Sequence, residues 1–258
     1  MPGLAFPRGI VPSMNTPYLQ DGAIDLAGVR RCAEATIAAG ATGMLALAAM
    51  ARALHATAML CQAPDGVRGA ELVALLRELC AVGPPLLMLQ DLDFAGPGLP
   101  LDDVLRLQHE LPAFQGLKIE TQLPGPKYTA VLEATQGRLH VSGGWAAAQM
   151  LEALHRGVHA FIPTAMDRIY VEVFRRFAGG DAAGARALHA ELAPVLAFSN
   201  QHIGVSIRFF KHLRHREGIF ATPQCRGGVP ELDGHQMREL EEQVTRVLGL
   251  QDALRAAG

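Results

Sequence analysis

The feature that most constrains the fold is the alternation of short apolar runs with longer helical patterns along most of the chain. Most of the runs are apolar throughout rather than alternating, as expected for parallel strands covered on both faces. Strands are predicted at residues 8–14, 43–48, 58–62, 85–91, 116–120, 139–143 and 160–165. Because the alternation continues over 258 residues without a linker-like segment, it favours a single α/β domain, a TIM (β/α)8-type barrel.

Helical patterns separate the strands and continue alone after the last one. Helices are predicted at residues 25–40, 65–83, 99–111, 144–157, 167–178, 181–198, 201–216 and 233–256. The first of them begins with an aspartate cap and ends on glycine, which is typical of helix boundaries. We therefore assign residues 8–165 to the barrel strands and helices, and residues 166–258 to the last barrel helix and a C-terminal helical extension.

A doubly wound open sheet is the alternative architecture. Such sheets usually carry a glycine-rich first turn, and the sequence contains neither GxGxxG nor GxxxxGK[ST]. One interval is too short for the barrel: nine residues separate the strands at 43–48 and 58–62. A crossover with its helix needs roughly 10–12 residues or more. Because only seven strands are predicted where a closed barrel has eight, we expect about one βα unit to be lacking near residues 46–52, either lost from the gene or omitted from the sequence.

Composition excludes several classes of function. The net charge of −2 is spread over interspersed acids and bases, so we expect no nucleic-acid partner. The longest apolar runs are too short to span a bilayer, and the N-terminus lacks the pattern of a signal peptide. Four widely spaced cysteines form no CxxC pair, which indicates reduced thiols in the cytoplasm. Ten histidines show no HExxH or equivalent spacing, so no metal site is expected.

Lys118 is the most informative candidate catalytic residue. Only three of the 23 basic residues are lysines, and this one lies between Leu117 and Ile119 in a predicted strand. The period of two turns Leu117 and Ile119 toward the helices and Lys118 into the barrel. Burial disfavours an ammonium ion, and a deprotonated lysine is the nucleophile of Schiff-base enzymes. The alternative is a lysine at a strand end that reaches solvent or pairs with Glu120.

Four segments carry a resemblance to a known family: GIVPSMNTPYLQDGAID, GLKIET, HVSGGWAAAQMLEALHRGVHAFIPTA and FRRFAGGDAAGARALHAELAPVL. In this order they resemble the dihydrodipicolinate synthase / N-acetylneuraminate lyase family of class I, pyruvate-dependent aldolases and lyases. The resemblance runs from residue 8 to about residue 215 and implies a TIM barrel with extra C-terminal helices. By the match of GLKIE to the family's lysine strand, Lys118 forms an imine with a 2-oxo acid such as pyruvate. The imine is itself the electron sink, so the resemblance implies no metal or organic cofactor.

The sequence also departs from the family's pattern. MLALAAMAR replaces the G-T-T-G-E loop whose threonines hold the substrate carboxylate, and LLMLQDLD puts Gln90 at the position of the proton-shuttling tyrosine. A glutamine cannot exchange protons near neutral pH, so the adjacent Asp91 is our candidate acid–base, with a helix cap or an ion pair as its structural alternative. FAGPG lacks the arginine that synthases use for the second substrate, which argues against synthesis of dihydrodipicolinate itself.

Strand ends and the resemblance supply the remaining candidates. The expected substrate-binding residues are Thr16, Cys61, Ser142, Gly143, Phe161 and Ile162. Each could instead serve only the turns at the ends of the barrel. We expect a cytoplasmic homo-oligomer, a dimer or tetramer, that acts on a small 2-oxo acid. The competing hypothesis is a non-catalytic barrel that binds a small carboxylate.

Overall fold

The computed structural model describes residues 6–41, 58–82 and 85–257. Its strands are β1 (Gly9–Ile10), β2 (Ala58–Gln62), β3 (Leu86–Asp93), β4 (Phe114–Thr121), β5 (His140–Gly143) and β6 (Ala160–Phe161). Its helices are α1 (Leu26–Ala38), α2 (Gly69–Val82), α3 (Leu101–Glu110), α4 (Pro124–Ala134), α5 (Met150–His155), α6 (Asp167–Ala178), α7 (Ala182–Ala190), α8 (Ala193–Ser199), α9 (Ile203–Arg216) and α10 (Gly234–Ala256). Six predicted strands are thus confirmed. The one other predicted strand, at residues 43–48, and the deletion expected near residues 46–52 lie outside the described residues.

The chain forms two units. The first consists of Met1–Arg8 and Leu45–Phe161, and the second of Gly9–Met44 and Ile162–Gly258. In the first unit, five strands form a parallel sheet in the order β6-β5-β4-β3-β2, and a helix follows each of β2 to β5 along the chain. Strands of this kind are apolar on both faces, which explains why the runs in the sequence are nearly continuous.

The register of the sheet separates its two faces. Ile119, Gly143 and Phe161 are in register across β4, β5 and β6. A Cβ atom added to Gly143 would lie 2.5 Å from the Phe161 ring and 3.0 Å from the hydroxyl of Tyr128 on α4, so this row faces the helices. Neighbouring residues of a strand point to opposite faces. Lys118 therefore points away from the helices, as the sequence predicted.

In the second unit, a buried polar network joins three helices. Asp167 at the start of α6 accepts hydrogen bonds from Thr36 of α1 and from Arg214 of α9, both at 2.8 Å. All three residues are less than 5 % exposed. A buried charge needs a partner of opposite sign, and here the carboxylate and the guanidinium satisfy each other. We interpret this network as structural.

Two predictions at the level of helices need correction. The helix expected at 181–198 is divided, because α7 ends at Ala190 and α8 begins at Ala193. Pro194 explains the break, since proline lacks an N–H and is tolerated only in the first turn of a helix. No helix is predicted between residues 111 and 144, but α4 begins at Pro124. Within the described residues, no helix is long and apolar enough to cross a membrane.

Candidate active site

A row of residues crosses the sheet on the face turned away from the helices. Register places Gln62 beside Gln90, Gln90 beside Lys118, and Lys118 beside Ser142. Lys118 is only 7 % exposed and Ser142 is fully buried. The structure therefore brings together three of the predicted site residues, Gln90, Lys118 and Ser142. The hydroxyl of Ser142 donates a hydrogen bond to the sulfur of Met88 at 3.6 Å.

Lys118 forms an ion pair with Glu120, two residues further along β4. The distance from Lys118 Nζ to Glu120 Oε2 is 2.7 Å, and each side chain is 9 % exposed. The same Oε2 atom accepts a hydrogen bond from Gln90 Nε2 at 2.5 Å. The other oxygen, Oε1, accepts one from the backbone N–H of Trp145 at 2.7 Å. Lys118 is therefore paired with Glu120, as the alternative to a catalytic role predicts, and both side chains are buried.

The turn after β5 is shaped to hold the Glu120 carboxylate. A Cβ atom on Gly144 would collide with the Glu120 side chain, so this position requires glycine. Trp145 has a φ of +52°, a left-handed conformation that costs a non-glycine residue about 1–3 kcal/mol. That conformation accompanies the hydrogen bond from the Trp145 N–H to Glu120. Strain of this kind is often found at functional sites.

Two opposing effects set the charge of Glu120. Burial by itself would raise the pKa of this carboxyl group. The nearby charge of Lys118 and its hydrogen bond, with those from the Trp145 N–H and the Gln90 amide, outweigh burial and lower the pKa below its ordinary value. Glu120 is therefore a carboxylate at neutral pH, with a proton donor directly beside it.

An aromatic pair lies beside this carboxylate. Phe94 follows the last residue of β3, and Trp145 lies just beyond the end of β5. Their rings meet edge to face with centroids 3.8 Å apart. Because Phe94 is 41 % exposed, the pair combines an apolar surface with access to solvent at the carboxyl ends of these strands.

Asp91 lies on the opposite face of the sheet from Lys118. It is in register with Ile119, and its Oδ1 atom accepts a hydrogen bond from the Leu99 N–H at 2.9 Å. Its Oδ2 atom is 2.5 Å from Nζ of Lys127, whose side chain is 14 % exposed. Lys127 lies in α4 and is largely buried by this contact, and Asp91 anchors the segment after β3. The structure does not bring Asp91 together with the imine-forming candidate.

Three other candidates also face the helices. Cys61 precedes Gln62 in β2, so it points away from the row that contains Lys118, and burial raises the pKa of its thiol to about 11. Gly143 and Phe161 belong to the helix-facing row, where a side chain at Gly143 would collide with the Phe161 ring. The packing of that row explains the glycine without a substrate. The register of the strands decides which face of the sheet these three side chains point to. A position at the end of a strand does not show this.

The remaining two candidates belong to the second unit. Ile162 follows β6 and is 4 % exposed. The carbonyl oxygen of Thr16 accepts a hydrogen bond from Nζ of Lys211 at 2.8 Å. Lys211 is itself 4 % exposed and lies 4.2 Å from the centroid of the Tyr18 ring. In this unit Thr16 has a structural contact through its backbone.

Sequence reasoning named Glu120 only as a partner for Lys118 and did not include Trp145. A usable signal for Glu120 exists, because residues i and i+2 of a buried strand share one face. The contribution of Trp145 is a backbone N–H, which no side-chain pattern reveals. Among the described residues, no group of three or more histidine, cysteine, aspartate or glutamate side chains is arranged to hold a metal ion.

Comparison with known proteins identifies the fold. No family model matches the chain, and no curated protein matches it by sequence. A dihydrodipicolinate synthase structure aligns with a TM-score of 0.80 at 16% identity, over 94% of this chain and 99% of that one. The synthase from Oceanobacillus iheyensis aligns with a TM-score of 0.79 at 15% identity, over 92% and 95%. A monomeric dihydrodipicolinate synthase variant aligns with a TM-score of 0.78 at 14% identity, over 95% and 97%.

The similarity in structure is high where the similarity in sequence is low. This chain therefore has the fold of the dihydrodipicolinate synthases, a TIM-barrel type with extra C-terminal helices. The fold that the sequence predicted is confirmed. In this fold the face of the sheet turned away from the helices lines the barrel interior, so the row containing Lys118 points inward.

Proposed function

We propose that this protein is a Schiff-base-forming lyase or aldolase of the dihydrodipicolinate synthase / N-acetylneuraminate lyase family. Its substrate is a 2-oxo acid such as pyruvate, and the reaction makes or breaks a carbon–carbon bond. The observation that carries the proposal is Lys118, which is 7 % exposed on the inward face of a barrel strand. Arginine would supply a positive charge there, but only lysine supplies an amine that can lose a proton and attack a carbonyl carbon.

The neighbours of Lys118 suit a substrate with a carbonyl and a carboxylate. Gln62 and Gln90 carry amide N–H groups, and Ser142 carries a hydroxyl. These neutral donors can bind substrate oxygens without adding net charge to the barrel interior. The iminium nitrogen formed from Lys118 withdraws electrons from C3 of the substrate. For that reason we propose that the reaction needs no metal or organic cofactor.

The expected setting of the enzyme is the cytoplasm. All four cysteines are free thiols, which fits a reducing compartment. We propose that the protein works as a homo-oligomer, a dimer or a tetramer.

Borohydride trapping tests the proposed function. The protein is incubated with pyruvate, 2-oxobutyrate or 2-oxoglutarate, reduced with borohydride, and digested for peptide mass spectrometry. We expect a reduced adduct on Lys118 with at least one of these acids. Lys118→Arg keeps the charge and should give no adduct, whereas Lys127→Arg, a matched change in the same unit, should retain it.

The second candidate function is a non-catalytic barrel that binds a small carboxylate. It would account for the Lys118–Glu120 ion pair as a permanent contact, because a lysine that remains paired is an ammonium ion and not a nucleophile. This candidate predicts heat of binding with pyruvate in calorimetry but no adduct with any 2-oxo acid. An adduct on Lys118 excludes it, and the complete absence of adducts excludes the Schiff-base enzyme.

A further inference from the structure

The proposed enzyme needs a group that moves protons, and the group predicted from the sequence, Asp91, does not lie beside Lys118. The residue at the position of the family's tyrosine is Gln90, and an amide does not exchange protons near neutral pH. Asp91 lies on the other face of the sheet. The buried Tyr128 hydroxyl also lies on the helix side, where it donates a hydrogen bond to the Ile119 carbonyl at 3.3 Å. Neither Asp91 nor Tyr128 lies on the face of the sheet that carries Lys118, and the Gln90 amide, which does, cannot supply the proton.

We infer that Glu120 is the general acid–base of the proposed reaction, a role that rests on Schiff-base formation by Lys118. Its Oε2 atom is 2.7 Å from the lysine nitrogen that would react. Proton transfer requires this hydrogen-bond distance, roughly 2.6–3.2 Å between heavy atoms. The Gln90 amide and the Trp145 N–H hold the carboxylate in place. Gln90 thus orients the acid–base group and is a positioning residue.

Imine formation can be written entirely with these two side chains. Lys118 Nζ gives a proton to Glu120 Oε2, which leaves a neutral amine beside a carboxylic acid. The nitrogen lone pair bonds to C2 of the 2-oxo acid, the π bond from C2 to oxygen breaks, and that oxygen takes the proton from Glu120. Glu120 then moves one proton from the nitrogen to the new hydroxyl group, which leaves as water while the iminium bond forms.

The same carboxylate continues the reaction at C3. It removes a proton from C3, the electron pair of that C–H bond forms the C2–C3 double bond, and the electron pair of the C=N double bond returns to nitrogen. The product is a neutral enamine beside a protonated Glu120. The acid can return its proton to C3, or give it to the oxygen of an aldehyde that C3 attacks. Protons and electrons balance without another reactant.

Exchange of the pyruvate methyl protons in D2O measures the C3 step directly. Proton NMR follows the loss of the methyl signal with wild type, Glu120→Gln, Glu120→Ala and the matched control Glu133→Gln, a change at an exposed residue of α4. We expect Glu120→Gln to slow exchange by about 10²–10⁴-fold, the usual contribution of a general acid–base group. Glu133→Gln should exchange at the wild-type rate. Added formate should speed exchange by Glu120→Ala, because it fills the space left by the carboxylate, and should not do so for Lys118→Arg.

The outcomes separate this inference from the proposed function. If Glu120→Gln exchanges as fast as wild type, or if formate fails to rescue folded Glu120→Ala, Glu120 is not the acid–base, although Lys118 can still form the imine. If wild type gives neither exchange nor a trapped adduct, both the inference and the proposed function are wrong. A trapped Lys118 adduct in Glu120→Gln combined with slow exchange is the result expected if both are right.

Discussion

The Lys118–Glu120 pair leads to a specific prediction about stability. Replacing Lys118 with methionine leaves the Glu120 carboxylate in a buried site without its counter-charge. Protonation of the carboxylate removes the buried charge. At pH 7 this protonation costs up to about 3–4 kcal/mol, since an ordinary glutamate titrates near 4.3 and each pKa unit is worth about 1.4 kcal/mol. We therefore expect Lys118→Met to lower the free energy of unfolding by up to this amount.

The penalty should depend on pH in a known direction. Because protonation becomes cheaper as the pH falls, the cost of Lys118→Met should shrink to about 1 kcal/mol at pH 5. Wild-type Glu120 has a lowered pKa, so its own contribution is fully present above the unfolded-state pKa and is lost as the pH falls through the folded-state pKa. The two chains should therefore approach each other in stability in acid.

Urea unfolding at pH 7 and pH 5 provides the assay, with fluorescence of the single tryptophan, Trp145, as the signal. The double variant Lys118→Met/Glu120→Gln is the decisive control, because glutamine keeps an acceptor for the Trp145 N–H and removes the unpaired charge. Replacing both members of a buried pair is often neutral or stabilising by about 1–4 kcal/mol. We expect the double variant to be more stable than Lys118→Met. A cost of Lys118→Met below about 0.5 kcal/mol, the range of ordinary surface changes, would refute the reasoning.

Two further predictions concern other groups of the first unit. Burial, the neighbouring His159 and the charge of Arg8 lower the pKa of His140 from 6.5 to about 4. Below pH 6.5 the unfolded chain binds a proton at His140 that the folded chain does not. The free energy of unfolding should therefore fall by up to about 3 kcal/mol between pH 6.5 and 4. Thermal unfolding of His140→Phe should show a weaker dependence on pH over this range. Asp91→Asn keeps the bond from Leu99 but removes the charge paired with Lys127, so we expect a loss of about 1–3 kcal/mol in urea unfolding. Borohydride trapping on Lys118 should be unchanged in Asp91→Asn; its loss would restore the acid–base role predicted for Asp91.

The fold was predictable because its signal is local and repeated. Each apolar run was long enough to define a strand, and β4 at Phe114–Thr121 contains the predicted strand at 116–120. Errors arose where proline had to be interpreted. Pro194 lies in the first turn of a new helix where a continuous one was expected, whereas Pro124 and Pro126 lie in the first turn of a helix where none was predicted. Proline ends a helix when it is internal and favours one in its first turn, so its effect depends on a boundary that the sequence alone does not locate.

The candidate site was harder to predict because it depends on which neighbours close around a side chain. The period of two already placed Lys118 and Glu120 on one face, yet the same pattern fits a solvated ion pair at the end of a strand. What distinguishes a buried pair is supplied by other strands: the Gln90 amide from β3, the Trp145 N–H beyond β5, and the space that Gly144 leaves for the carboxylate. Gln90 illustrates the consequence. In the sequence it is an amide that cannot exchange protons, whereas in the structure its hydrogen bond holds the Glu120 carboxylate beside Lys118, which no pattern within β4 reveals.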